Sequence, residues 1–90
     1  MVLSGDKNGD VRSVVMTIAS EVLEIDPGEL REDQHLEDDL GTTSVMRLDF
    51  LVSLERWFGI EFDAGDAEKA MRLSEVIAVV QQYVDRKRSS

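Results

Sequence analysis

The chain has 90 residues, of which 42% are hydrophobic, so it can bury one modest core and we expect a single domain over 1–90. Its 19 acidic residues against 10 basic ones give a formal net charge of −9. This charge argues against a nucleic-acid binder, because affinity for phosphate depends largely on Lys and Arg, and favours protein partners with a basic face. There is no cysteine, hence no sign of an oxidising compartment, a zinc site or a thiol nucleophile.

The first ten residues show no apolar rhythm and predict a flexible lead-in over 1–10. Asp6 to Asp10 resemble the start of a calcium loop, but Val11 stands where that loop needs Gly and Thr17 where it needs Glu. The chain shows neither the apolar run of a signal peptide nor a stretch of roughly 20 apolar residues. We therefore expect a cytoplasmic protein with no membrane insertion.

The first helix is predicted over 11–25. Apolar residues recur there at three- and four-residue spacing, at positions 11, 14, 15, 18, 22 and 25. Asp10 stands where an N-cap is expected, and Asp26-Pro27-Gly28 is typical of a helix end followed by a turn.

A long segment without helical period follows, over 27–43. Leu30, Leu36 and Leu40 lie among its charged residues at positions that can anchor it to a core. The pattern predicts an ordered loop with room for one helical turn.

The second helix is predicted over 44–58, with Gly59 as a left-handed C-cap. Its apolar residues occupy most of the helix circumference. Either this helix is central to the domain, or part of its surface binds a partner, and both can hold.

A short helix over 64–70, capped by Asp63, and a last helix starting at Leu73 complete the predicted elements. Arg72 provides no side-chain cap for the last helix, at a cost of about 1 kcal/mol. Residues 86–90 are predicted as a second flexible tail. The predicted fold is all-α: a bundle of three main helices plus one short helix, with a long ordered loop between helices one and two.

The most informative stretch reads Asp39-Leu40-Gly41-Thr42-Thr43-Ser44-Val45, and helix two ends in Leu54-Glu55-Arg56-Trp57-Phe58-Gly59-Ile60. In these motifs the chain resembles the acyl carrier protein family, without gaps from 41 to 83 and more loosely back to Val11. The resemblance implies a free-standing carrier, not an enzyme. It also implies that a phosphopantetheinyl transferase attaches 4′-phosphopantetheine from coenzyme A to Ser44. The arm would carry acyl or aminoacyl groups as thioesters in a fatty-acid, polyketide or related pathway.

The residues support such a site on physical grounds. A hydroxyl at the first residue of a helix is held on a rigid element, next to backbone N–H groups that suit a phosphodiester. The alternative is that Ser44 is an ordinary N-cap. Thr43 can cap equally well, and Arg47 stands where a capping box needs Glu or Gln.

The resemblance further implies a partner face on helix two. We define the partner face as Val45, Leu48, Asp49, Val52, Glu55 and Arg56. Its apolar members would lie beside the arm, and its acids would meet acyl-activating and acyl-transferring enzymes with basic docking faces. The alternative is an ordinary solvated helix face, since exposed charges usually only solvate. We expect a monomer.

Several residues depart from the family pattern. Thr43 replaces the usual Asp, Arg47 and Arg56 add positive charge, and Met46 and Trp57 are more apolar than a free surface needs. These departures favour a specialised carrier with a dedicated partner. The alternative function is a carrier-like adaptor that acts through helix two and is not modified.

Two other constellations are weaker. Ser44, His35 and Asp39 supply the residue types of a nucleophilic triad, but nothing else indicates an oxyanion hole or a substrate pocket. His35, Glu37, Asp38 and Asp39 could hold a divalent ion, although a solvated charge run is the favoured interpretation, so no metal site is predicted.

Overall fold

The computed structural model describes residues 11–89, which form four α-helices and one short 3-10 turn. The helices are α1 (Val11–Leu23), α2 (Ser44–Phe58), α3 (Ala64–Lys69) and α4 (Leu73–Ser89). No strand forms among these residues, so the predicted all-α bundle with one short helix is confirmed. The predicted lead-in and its N-cap Asp10 lie outside the described residues.

The core lies where α1 packs against α2 and α4. Its buried helical side chains repeat every three or four residues, and they are Val11, Val15, Ala19 and Leu23 from α1, Phe50 and Leu54 from α2, and Leu73, Val76 and Val80 from α4. Met46, which is more apolar than a free surface needs, is half-buried against this core. Position 46 lies one turn before Phe50, on the same face of α2.

The first helix ends two residues earlier than predicted, at Leu23. Glu24 adopts a left-handed conformation with φ +57°, which is more usual for glycine at a helix end. The Ile25 N–H donates to the Ser20 carbonyl at 3.0 Å, and the Ser20 hydroxyl donates to the Ile25 carbonyl at 2.7 Å. The helix is thus closed before the turn-forming Asp26-Pro27 pair begins.

The long loop is ordered around the anchors that the sequence predicts. It contains one 3-10 turn, Pro27–Glu29. Leu30 and Leu36 are buried and Leu40 packs against the core. Backbone bonds from Leu36 N–H to the Met71 carbonyl at 2.8 Å, and from Leu73 N–H to the Gln34 carbonyl at 3.2 Å, hold the loop against the α3–α4 junction.

The start of α4 is capped, contrary to the expectation from Arg72. Glu75 turns back, and its Oε1 accepts from the N–H groups of Met71 and Arg72, each at 2.9 Å. The bond from Arg72 and then that from Met71 hold the pKa of the Glu75 carboxyl below its ordinary value of 4.5. Glu75 thus supplies the reciprocal half of a capping box. The N–H groups of Leu73 and Ser74 are bonded by the loop instead, to the carbonyls of Gln34 at 3.2 Å and Glu32 at 2.7 Å.

The C-terminal boundaries also differ from the prediction. The short helix stops at Lys69 instead of 70. The last helix continues to Ser89, so residues 86–89, expected in a flexible tail, form its last turn. No Gly or Pro interrupts that segment, and Lys87 Nζ donates to the Gly59 carbonyl at 2.8 Å. Within residues 11–89, no helix is long and apolar enough to cross a membrane.

Candidate functional site

Ser44 is the first residue of α2, and it is exposed. Thr43 is the N-cap: its Oγ1 accepts from the Met46 N–H at 3.2 Å and its carbonyl accepts from the Arg47 N–H at 2.9 Å. The Ser44 hydroxyl forms no hydrogen bond with any residue between 11 and 89. The alternative of Ser44 as the cap is therefore wrong, and its hydroxyl is available for chemistry.

The backbone around Ser44 suits an anion. Within the described part of the chain, the N–H groups of Ser44 and Val45 have no hydrogen-bond partner. They stand at the positive end of a 15-residue helix. A phosphate esterified to the Ser44 oxygen fits this position, because such N–H groups and the helix dipole both favour negative charge.

The turn before α2 is fixed by backbone bonds. Gly41 has φ +65°, a conformation that favours glycine, and its N–H donates to the Glu37 carbonyl at 3.1 Å. The next residue, Thr42, is buried and donates its N–H to the Leu36 carbonyl at 3.0 Å. Ser44 thus follows a turn fastened to a buried loop anchor, which keeps its hydroxyl in a defined place.

Most residues of the predicted partner face are exposed. Val45 is 69% exposed and Leu48 61% exposed, and Val52 continues the stripe one turn further along α2. Asp49 and Arg56 are exposed as well. This side of α2 therefore offers apolar contact area flanked by one acid and one base.

Glu55 differs from the rest of the partner face. It is half-buried, and its Oε2 accepts from the Phe62 N–H at 2.7 Å. The carboxylate therefore fastens the segment after α2 to the helix. Nothing local in the sequence marks this bond, which joins residues seven positions apart.

Arg47 is also turned inward, so the positive charge that the sequence places on α2 is directed at α3 and the loop rather than at solvent. Its side chain is only 19% exposed. Nη2 donates to the carbonyls of Ala67 at 2.7 Å and Ala70 at 3.1 Å, and Nη1 lies 3.7 Å from Glu37 Oε2. The second arginine of the helix, Arg56, is exposed as expected.

A groove of about 250 Å³ opens beside Ser44, between α2 and α3. We call it the Ser44 groove; it is lined by Ser44, Arg47, Leu48 and Leu51 from α2, Ala67 and Glu68 from α3, and Glu37 from the loop. Its α2 side thus includes two apolar side chains next to the candidate attachment hydroxyl.

In the acidic loop, the His35 side chain caps the turn that follows it. His35 Nδ1 accepts from the N–H groups of Glu37 at 3.2 Å and Asp38 at 3.1 Å, while Asp39 Oδ2 accepts from the His35 N–H at 2.7 Å. His35 therefore forms no triad bond with Ser44. Between residues 11 and 89, no group of three or more His, Asp or Glu side chains is placed to hold a metal ion.

Trp57 lies at the other end of α2 and is 67% exposed, as the sequence suggested. Two hollows, of about 420 and 350 Å³, border it, and both are also lined by Ile18 and Glu21 of α1. At 100° per residue, Trp57 lies more than a quarter turn away from the Val45 and Val52 stripe. The α1–α2 seam therefore lies on a different side of α2 from the apolar stripe of the partner face, and the two surfaces meet at Arg56, which borders the smaller hollow.

Comparison with known proteins gives two findings. The sequence model of the family described as "Phosphopantetheine attachment site" matches residues 13–80. The chain is 30% identical over 73 residues to the acyl carrier protein of Thermotoga maritima, an alignment that covers 81% of this chain and 90% of that protein. Proteins of this family are carriers rather than catalysts, and the two matches indicate a covalently attached 4′-phosphopantetheine.

Proposed function

Because this chain belongs to the phosphopantetheine-binding family of acyl carrier proteins, we propose that Ser44 bears the phosphopantetheine arm. The single observation that carries this proposal is the exposed Ser44 hydroxyl, which Thr43 relieves of the capping role. Once attached, the arm supplies a thiol on which acyl groups are carried as thioesters. The chain itself supplies the attachment oxygen and the N–H groups of Ser44 and Val45 that favour a phosphate.

In this proposal the folded domain is a rigid base, and the attached phosphopantetheine is a flexible arm. Phe50 and Leu54, both fully buried, fix α2 in the core. An arm on a fixed base gives the carried group a high effective concentration at each enzyme that docks nearby. The carried groups would be acyl or aminoacyl intermediates of a fatty-acid, polyketide or related pathway.

The partner face would dock the transferase and the acyl-handling enzymes. Its exposed apolar stripe, Val45, Leu48 and Val52, supplies contact area next to the arm, and Asp49 supplies charge for a basic partner. The chain's net charge of −9 would speed encounters with such partners. Because screening acts over roughly 8 Å at physiological ionic strength, we expect the association rate to fall with added salt.

Intact-mass measurement after incubation with coenzyme A and a broad-specificity phosphopantetheinyl transferase tests the proposal. We expect the mass to rise by one arm in the native chain and in Ser53→Ala, a matched substitution on the same helix. Ser44→Ala should show no rise. A native chain that gains no mass would overturn the proposal.

Exposed Trp57, between its two hollows, favours a second candidate: an unmodified adaptor that binds a partner through the α1–α2 seam. The two functions can be distinguished by expressing variants in cells from which the native gene is removed. An adaptor would keep its activity in Ser44→Ala and lose it in Trp57→Ala, whereas a carrier would lose it in Ser44→Ala.

A further inference from the structure

The short helix α3 is attached to the bundle differently from the long helices. None of its residues is buried, and Asp63 at its N-cap makes no side-chain cap bond. At its start, the Tyr83 hydroxyl of α4 donates to Asp66 Oδ2 at 2.7 Å and accepts from the Asp63 N–H at 2.9 Å. At its end, α3 is held by Arg47. Both attachments are polar, and both come from other helices.

Arg47 binds the end of α3 with one nitrogen. Its Nη2 donates to the carbonyls of Ala67 at 2.7 Å, Glu68 at 3.3 Å and Ala70 at 3.1 Å. Carbonyls in the last turn of a helix lack helical partners, and a guanidinium offers several donors in a fixed plane. With Nη1 3.7 Å from Glu37, Arg47 joins α2, α3 and the loop around the Ser44 groove.

These attachments set the size of the Ser44 groove, whose far wall is α3. Because the fully buried Phe50 and Leu54 fix α2 in the core, the groove widens by movement of α3 rather than of α2. A long apolar chain gains by leaving water, in proportion to the area it buries. Here it would first have to break the Arg47 bonds and leave a charged group without partners, which opposes entry.

We propose that the contacts of Arg47 keep the Ser44 groove from widening to take in a long apolar chain, so that this carrier serves short or polar acyl and aminoacyl groups. The statement about cargo rests on the proposed function of Ser44. The statement about α3 does not, so the two are tested separately.

Hydrogen exchange of the unmodified protein tests the hold on α3. We expect the α3 amides to exchange about tenfold faster in Arg47→Ala than in the native chain, with Arg47→Lys between the two. Arg56→Ala, which removes an exposed arginine of the same helix, should leave α3 unchanged. Equal α3 exchange in Arg47→Ala and the native chain would overturn the proposal.

Loading with acetyl or octanoyl arms, from the corresponding coenzyme A thioesters, tests the cargo. In the native chain, octanoyl should neither raise Tm nor slow the exchange of Leu48 and Leu51 relative to acetyl. In Arg47→Ala, octanoyl should raise Tm over acetyl by about 4 °C or more and slow both amides. Octanoyl protection of the native chain equal to that of Arg47→Ala would overturn the cargo selection. Failure to load at all would count against Ser44 as the attachment site, and the exchange result would still decide the role of Arg47.

Discussion

The two helices that face each other across the Ser44 groove are held in place by different forces. Helix α2 buries Phe50 and Leu54 completely and has a cap at each end, Thr43 and Gly59. Helix α3 buries no residue and depends on polar bonds from Arg47 and Tyr83. Apolar burial fixes a helix through many small contacts, whereas a few polar bonds can be broken singly.

This difference assigns different roles to the two walls. The candidate attachment hydroxyl of Ser44 lies on the wall that cannot move without unfolding the core. The opposite wall buries none of its own residues and is held by side-chain bonds, between Phe62, which packs against the core, and the buried Ala70. In the proposed carrier, the first wall gives the arm a fixed base, and the side-chain bonds of the second wall oppose the entry of a long apolar chain.

The largest expected effect comes from the core side of α2. Phe50→Ala removes a fully buried aromatic ring and should lower the free energy of unfolding by about 3–5 kcal/mol. Val52→Ala, an exposed position on the same helix, should change it by less than about 0.5 kcal/mol. Urea unfolding followed by circular dichroism measures both, and equal effects would remove the distinction between the two faces of α2.

Smaller effects should separate the two helix starts. Thr43→Ala removes the bond that Oγ1 accepts from Met46 and should destabilise the fold by about 1 kcal/mol. Asp63→Ala removes a side chain that makes no cap bond, so it should cost much less. The same urea titrations decide this, and a larger loss in Asp63→Ala would show that α3 depends on its own cap.

Tyr83→Phe should loosen α3 with little effect on the core. The substitution keeps the ring, whose centroid lies 5.4 Å from that of Phe62, and removes only the hydroxyl bonded to Asp63 and Asp66. We expect a global loss of about 1 kcal/mol or less. In hydrogen exchange, the amides of α3 should speed up more than those of α2. Equal acceleration of exchange in α2 and α3 would contradict the inference that α3 is attached separately from the core.

Alkaline pH should weaken the bonds between the Tyr83 hydroxyl and α3, and this is the smallest of the expected effects on stability. The Asp63 N–H bond lowers the pKa of Tyr83, but donation to Asp66, desolvation and repulsion by both carboxylates outweigh it, so this pKa lies above its ordinary value of 10.0. A raised pKa means that the neutral hydroxyl is favoured in the folded state. The stabilisation that the neutral Tyr83 hydroxyl gives the fold is complete at pH values below its ordinary pKa. It is lost as the pH rises through the higher pKa of the folded state.

The chain has one tyrosine, so the ultraviolet absorbance of tyrosinate follows this titration directly. Amide chemical shifts of Asp63 and Asp66 should change in the same pH range, while that of Phe50 should not. Titration at or below the ordinary value would show that the hydroxyl is not bonded to Asp66 in solution.

Local signals explain which features the sequence could predict. The C-cap Gly59, with φ +66°, and the start of α2 after Thr43 both follow from residues next to the feature itself. The Glu75 cap also had a local signal, an acid three residues after the position that lacks a cap side chain.

The α3 attachments had no local signal. Arg47 and Ala67 are 20 positions apart, and Tyr83 and Asp66 are 17 apart. Arg47 therefore resembles a surface arginine until the fold brings the end of α3 to it. Its spacing predicts only that it lies near the face of Ser44, one turn further along α2. Polar contacts between distant elements are fixed by packing, which a single sequence does not display.

The most direct test of the account is to locate the arm after treatment with coenzyme A and a broad-specificity transferase. Trypsin cleavage at Arg31 and Arg47 yields a peptide that contains three candidate hydroxyls, Thr42, Thr43 and Ser44. Fragment ions of this peptide should place the whole added mass on Ser44. An arm on Thr43, or a peptide that stays unmodified, would contradict the account.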